Sequence, residues 1–257
     1  MKIPSIALNT FRENLRDKIM IGVLIFTFLI ILSNIVTVSL TTGQWTRLTT
    51  DVGLGAIAVF GILLSIFLGI TLINKEVEKK TIYTIISKPI RRHHFLIGKY
   101  LGLVLTIFVN TTLMLLVLYC VLMYLSPAEG APYLGIFKAW LLMLMEFMVI
   151  AAIGAFFSSF TSPVLAAMFT IGFWAIGHMI TDVGYWGLKS GDETVRTMAK
   201  TLFYAMPNLE LFNVRNRVTY NIKIEWSYIG WVVSYALLYV TFILGSASVI
   251  FSKRDFK

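Results

Sequence analysis

Asn74-Lys75-Glu76-Val77-Glu78-Lys79-Lys80-Thr81-Ile82-Tyr83-Thr84-Ile85-Ile86-Ser87-Lys88-Pro89-Ile90-Arg91-Arg92 separates one long apolar run from the next, which follows Gly98-Lys99-Tyr100. Seven Lys or Arg residues, at 75, 79, 80, 88, 91, 92 and 99, crowd this insert. Short basic loops between membrane spans stay on the cytoplasmic side, so segment 74–99 is predicted to face the cytoplasm, where a soluble protein can grip it. Pro89 stops any helix begun within it, because proline lacks the amide hydrogen and clashes with the preceding turn.

On either side of the insert the chain is a membrane protein by composition. Hydrophobic residues make up 58% and charged residues 14% of its 257 positions, against about 25% charged in a soluble domain. Six segments, Ile19–Leu40, Val52–Ile73, Tyr100–Leu125, Phe137–Phe160, Pro163–Ile180 and Tyr228–Phe251, are apolar enough to be spans. A hydrocarbon core about 30 Å thick needs about 20 helical residues. The fifth is the shortest, and Thr161-Ser162-Pro163 leaves only a tight turn before it, with proline suited to a helix's first position. Barrel strands would alternate apolar and polar residues, whereas these runs are unbroken. The fold class is therefore an all-α membrane protein, a single transmembrane domain over 1–257 without internal repeat or separate soluble domain.

With the amino terminus inside, the cytoplasmic side carries fourteen Lys or Arg and the opposite side eight, six of those in the single 181–227 connection. Long loops weigh little in orientation, so both termini and the insert are predicted to be cytoplasmic. The first apolar run is too long for a signal-peptide core and has no small-residue cleavage site, so it is expected to stay as an anchor. Residues 1–18 read as an amphipathic interfacial helix: Ile3, Ile6, Ala7, Phe11, Leu15 and Ile19 recur at helical spacing, with Arg12, Glu13, Arg16, Asp17 and Lys18 opposite. In the external connection, Ser190-Gly191-Asp192-Glu193 starts a helix that places Val195, Met198, Ala199, Leu202 and Met206 on one face and ends before Pro207. That face is expected to rest on the outer mouth of the bundle or on the outer leaflet. Tyr185, Trp186, Tyr220, Trp226, Tyr228 and Trp231 bracket the connection as interface anchors.

Small residues mark where helices approach closely. Gly61, Ser65 and Gly69, with Gly53, form one stripe of the second span, and Gly98 and Gly102 open the third. The stripe serves packing either within one chain or between two copies. Glu146 is the only carboxylate deep in a span. An ion at mid-bilayer costs on the order of 3 kcal/mol, so Glu146 should face protein or water, lining a pathway or holding a buried hydrogen bond. His178, with Asp182 one helical turn later, is read as a structural partner or a contact to cargo.

Catalytic motifs are missing. Gly98-Lys99 is followed by Tyr100, not Ser or Thr, and has no upstream glycine, so the chain has no phosphate-cradling loop of that type. His93-His94 sits beside Arg91 and Arg92, which repel cations, and the eleven Met residues are scattered, so no metal site is expected. Cys120, the single cysteine, is read as a small buried side chain within the third span. The net charge of +9 lies around spans and aromatic residues, which points to anionic lipid headgroups and not to nucleic acid.

The insert, from Asn74 through Tyr100, resembles the cytoplasmic signature of type-2 ABC exporter permeases, in which an acidic pair and a threonine precede an apolar stretch, then Ser-x-Pro, a basic residue and Gly-Lys. The match is closest to the NosY-like branch, associated with multicopper-enzyme maturation. The amphipathic start, six spans, long last external connection and Pro207-Asn208-Leu209-Glu210 extend the similarity over essentially the whole chain. The resemblance implies a bacterial inner-membrane permease, a homodimer seated on two copies of a cytoplasmic ABC ATPase, with a periplasmic partner as an option. It implies that this chain holds no cofactor, ATP and Mg2+ being used by the partner. It also implies a coupling helix around Lys79–Ser87, carried by Glu76, Glu78, Lys79, Thr81, Ile82, Ile85, Ile86, Ser87 and Pro89. The residues suit that role, since Ile82, Ile85 and Ile86 form an apolar knob and Glu76, Glu78 and Lys79 a charged rim. Two other readings are a non-transporting assembly factor that docks partners through 193–206, and an intramembrane enzyme. The latter would need Glu146 and His178 at one depth, and their positions in the spans place them at different depths.

Overall fold

The computed structural model describes residues 2–15, 28, 32, 45–78, 92–125 and 131–253. Among these the secondary structure is helical: α1 (Lys2–Leu15), α2 (Trp45–Glu78), α3 (Arg92–Leu125), α4 (Tyr133–Ser158), α5 (Pro163–Lys189), α6 (Glu193–Ala205), a 3-10 turn at Leu209–Phe212, α7 (Arg215–Thr219) and α8 (Trp226–Lys253). Five of them, α2, α3, α4, α5 and α8, are long and apolar enough to cross a membrane. The expected first span, Ile19–Leu40, lies outside the described residues apart from helical positions 28 and 32.

The spanning helices outrun their apolar segments. α2 starts at Trp45 instead of Val52, α3 at Arg92 instead of Tyr100, and α5 continues to Lys189 instead of ending near Ile180. Hydropathy locates the hydrocarbon part of a helix, but its hydrogen bonds continue through polar residues until a breaker intervenes. At 34 residues each, α2 and α3 are about 50 Å long. Their ends therefore project well beyond a 30 Å core. Between α4 and α5 the chain reverses in the predicted tight turn, with Pro163 at the start of α5.

The small-residue stripe of α2 packs on α4 of the same chain. A Cβ on Gly69 would lie 2.8 Å from Ala151 O, Gly154 backs onto Gly69, and Gly61 faces the ring of Phe147. Ser65 Oγ turns back to Gly61 O, removing its polar atom from the contact. Ser158 Oγ donates to Ile70 O at 2.8 Å, and Tyr100 OH donates to Met148 O at 2.8 Å, fastening α4 to α2 and α3. The residue order of these contacts makes α2 and α4 parallel, whereas Gly53 against Leu118 makes α3 antiparallel to α2.

Gly98 and Gly102 receive α1 and not another span. Gly98 lies under Ile6 and the Ile3 carbonyl, Gly102 under the Ala7 carbonyl and Thr10, and Asn14 Nδ2 donates to Thr106 Oγ1. The amphipathic helix is thus docked along the first turns of α3, with Leu8 and Leu15 still exposed. Cys120, expected to be buried, is exposed on α3.

At the opposite end, Asp192 caps α6 by accepting from the Thr194 amide. α6 rests on α5 where Gly187 meets Ala199 and Gly184 meets Phe203. Ala199 is buried, but Val195, Met198 and Leu202 of the predicted apolar face stay exposed, because α6 turns Ala199 and Phe203 toward α5. Leu209 and Phe212 plunge into the core, and Asn221, at φ 57°, turns the chain toward α8. Thr219 Oγ1 donating to Asp51 Oδ1, and Arg47 stacked 4.0 Å over Tyr220, tie this connection to the start of α2.

Candidate functional site

The described edges of the insert are joined by Glu13, one of the charged residues of the amphipathic helix. Glu13 of α1 places one carboxylate oxygen 3.4 Å from Lys75 Nζ and the other 3.6 Å from Lys99 Nζ. Lys75 lies in the last turns of α2 and Lys99 in the first turns of α3, so one carboxylate bridges both stems of the insert. Lys99 is largely buried and also lies 5.7 Å over the Phe95 ring. Glu13 stays partly solvated and both contacts are long, so each contributes about 0–1 kcal/mol, and the arrangement fixes geometry more than it stabilises the fold. Sequence reading set Glu13 opposite the apolar stripe, although it follows Ile6 by seven residues, two helical turns, and so lies on the side that Gly98 receives. Among the predicted coupling residues, Glu76 and Glu78 occupy the last turn of α2. Lys79, Thr81, Ile82, Ile85, Ile86, Ser87 and Pro89 lie outside the described residues.

Glu146 and His178, expected at different depths, meet. Glu146 Oε1 is 3.2 Å from His178 Nε2, across the contact of α4 with α5. The expectation failed because α5 runs nine residues past Ile180 to Lys189, so His178 is an interior position of its helix and not an outer end. Glu146 is 3% exposed. The approach is close enough for an ion pair, yet Glu146 Oε1 and His178 Nδ1 have no aligned hydrogen bond, nor do Trp174 Nε1 and Asn208 Oδ1. Trp174 stands edge-on to the His178 ring at 5.4 Å. Gly177 packs on Leu209 and the Pro207 carbonyl, which brings the external connection down to this pair.

A polar chain continues outward from there. Arg215 acts electrostatically on Glu146, His178 and Glu210. Its Nε donates to Asn213 Oδ1 at 3.1 Å, and Asn213 Nδ2 donates to Glu210 Oε1 at 3.1 Å. Partial burial raises the Glu210 pKa; the Asn213 hydrogen bond and the Arg215 cation oppose that shift. Asp182, the helical neighbour expected for His178, is exposed and sits close enough to Glu210 to raise its pKa further.

Among the described residues no group of three His, Cys, Asp or Glu side chains gathers as metal ligands. The rings of His93 and His94 do face each other at 4.2 Å, in the first turn of α3. A family model for ABC-2 family transporter proteins matches residues 5–256. No curated protein matches the chain.

Proposed function

The chain belongs to the ABC-2 transporter family, and from that premise we propose that it is the permease subunit of an ATP-driven exporter, moved by a separate ATPase that grips the insert on the cytoplasmic side. The observation that carries the mechanism is the double contact of Glu13 with Lys75 and Lys99. It makes the two stems of the insert and the interfacial helix one mechanical unit. Force applied to Ile82, Ile85 and Ile86 by the ATPase cleft then reaches α2 and α3 together. α2 passes it to α4 through the glycine contacts at Gly61 and Gly69, where close backbone approach leaves little slack.

In this reading ATP and Mg2+ belong to the ATPase, two copies of which serve a permease homodimer in a bacterial inner membrane, with both chain termini cytoplasmic. The NosY-like pattern of the insert further suggests an export step in the maturation of a copper enzyme. Glu146 and His178 serve as a polar tie between α4 and α5 beside the path that opens when those helices separate. The pairing at 3.2 Å supports this role over that of a solitary carboxylate facing a channel.

The test is reconstitution of the permease with its ATPase in lipid. ATP hydrolysis stimulated by the permease, and copurification of the two, should both be lost when Ile82→Asp and Ile85→Asp are combined. Stimulation that survives the double substitution removes the insert as the coupling surface.

A further inference from the structure

A cavity of about 360 Å³ opens at the end of the molecule opposite Lys75 and Lys99, between the start of α4 and the irregular stretch after α7. Its walls include Pro132, Leu134, Lys138, Val218, Ile222 and Lys223. Lys138 is the unusual member. It is one of the eight Lys and Arg on the side opposite the insert, yet it is 6% exposed. Its ammonium donates to Ile224 O at 2.6 Å and lies 4.6 Å over the Trp226 ring. No carboxylate among the described residues reaches it within ion-pair distance; the nearby Glu225 accepts instead from Ser227 Oγ.

Burying an ammonium costs several kcal/mol unless an anion compensates it. A carbonyl and an aromatic face provide only part of that compensation, and two of the three donors remain for a ligand. The rest of the cavity is suited to supply an anion's other needs. Lys223 adds a second, exposed cation to the wall. The first turn of α4 opens there too, its cap residue Pro132 offering no side-chain acceptor, so the positive end of the helix dipole faces the same space. The apolar walls and the adjacent Tyr133 and Trp226 place the cavity at interface depth.

We infer that this cavity is an anion site for a phosphate group, with Lys138 as its buried anchor and Lys223 at its mouth. The phosphate comes from an outer-leaflet phospholipid headgroup or from a free phosphate, and the site is independent of how the insert couples to an ATPase. Two measurements on the purified full-length chain separate the sources. Native mass spectrometry compares retention of phosphatidylglycerol with that of diacylglycerol, which lacks the phosphate. Thermal unfolding in delipidated detergent compares sodium phosphate with sodium chloride at equal ionic strength.

Lys138→Gln keeps a donor for Ile224 O and should fold; loss of its charge-assisted bonds should weaken phosphate-dependent retention or protection about tenfold. Lys138→Arg should restore it, and Lys223→Gln should weaken it less. Selective loss of phosphatidylglycerol assigns the site to a headgroup, and selective loss of protection by inorganic phosphate assigns it to a soluble anion. Wild type and Lys138→Gln behaving alike in both measurements overturns the site. Should Lys138→Gln fail to assemble, the exposed Lys223→Gln decides in its place, and an unchanged result there overturns it equally.

Discussion

Glu13 shows how little a side chain needs to do energetically to matter mechanically. Its two contacts are long and partly solvated, so Glu13→Gln should leave thermal stability within about 1 kcal/mol of wild type. Coupling should suffer more, because the stems of the insert lose their common partner. In reconstituted vesicles permease-stimulated ATP hydrolysis is expected to fall several-fold, and a charge reversal at Glu13, which repels both lysines, should lower it further than Gln does. Equal stimulation in wild type and Glu13→Lys would detach α1 from the coupling path.

The buried pair behaves differently. Glu146→Gln replaces a carboxylate with a neutral amide that can still meet His178, and should assemble with near-normal stability. His178→Leu leaves the Glu146 oxygens without a polar neighbour in an apolar interior, at a cost of roughly 1–3 kcal/mol. Thermal unfolding of both variants in one detergent checks the order. Greater stability of His178→Leu than of Glu146→Gln would contradict the tie between α4 and α5.

Between helices, glycine does the positioning. At Gly69 any side chain meets the α4 backbone at Ala151 and Gly154, which cannot swing aside as a flexible tip could. Gly69→Val should therefore force α2 off α4 and destabilise by about 1–3 kcal/mol, with lower yield of folded protein. Gly172 on α5 has open space where its Cβ would be, so Gly172→Ala should be neutral or gain up to about 1 kcal/mol from helix propensity. Size-exclusion profiles and unfolding midpoints of the two variants give the comparison. The sequence showed both as glycines in apolar helices, and spacing alone separated the α2 stripe from an isolated residue. It could not say that the stripe meets α4 of the same chain, because small-residue patterns carry no address for their partner.

For the molecule as a unit, sidedness is the property that everything else presumes. α1 and both stems of the insert gather at one end, and the 3-10 turn, α7 and the Lys138 cavity gather at the other. With Cys120 replaced by Ala, a cysteine at Thr84 should react with a membrane-impermeant maleimide only when the cytoplasmic face is open, and one at Ser190 only from the outside. The reverse pattern would invert the orientation and with it the site of ATPase engagement.

Helix class, the apolar segments of the five described spans though not their helix ends, the tight turn before Pro163 and the helix start at 190–193 all followed from local chemistry. Each depends on residues within a few turns of one another: apolar runs long enough to span, a proline without an amide hydrogen, an aspartate beside free amides. The meeting of Glu146 with His178, the bridge from Glu13 to Lys75 and Lys99, the seat of α1 on Gly98 and Gly102, and the burial of Lys138 did not follow. Those depend on which face of one helix turns toward which neighbour and on how far a helix runs past its apolar segment. Such choices are made jointly by side chains tens of residues apart, through contacts whose partners no local pattern names.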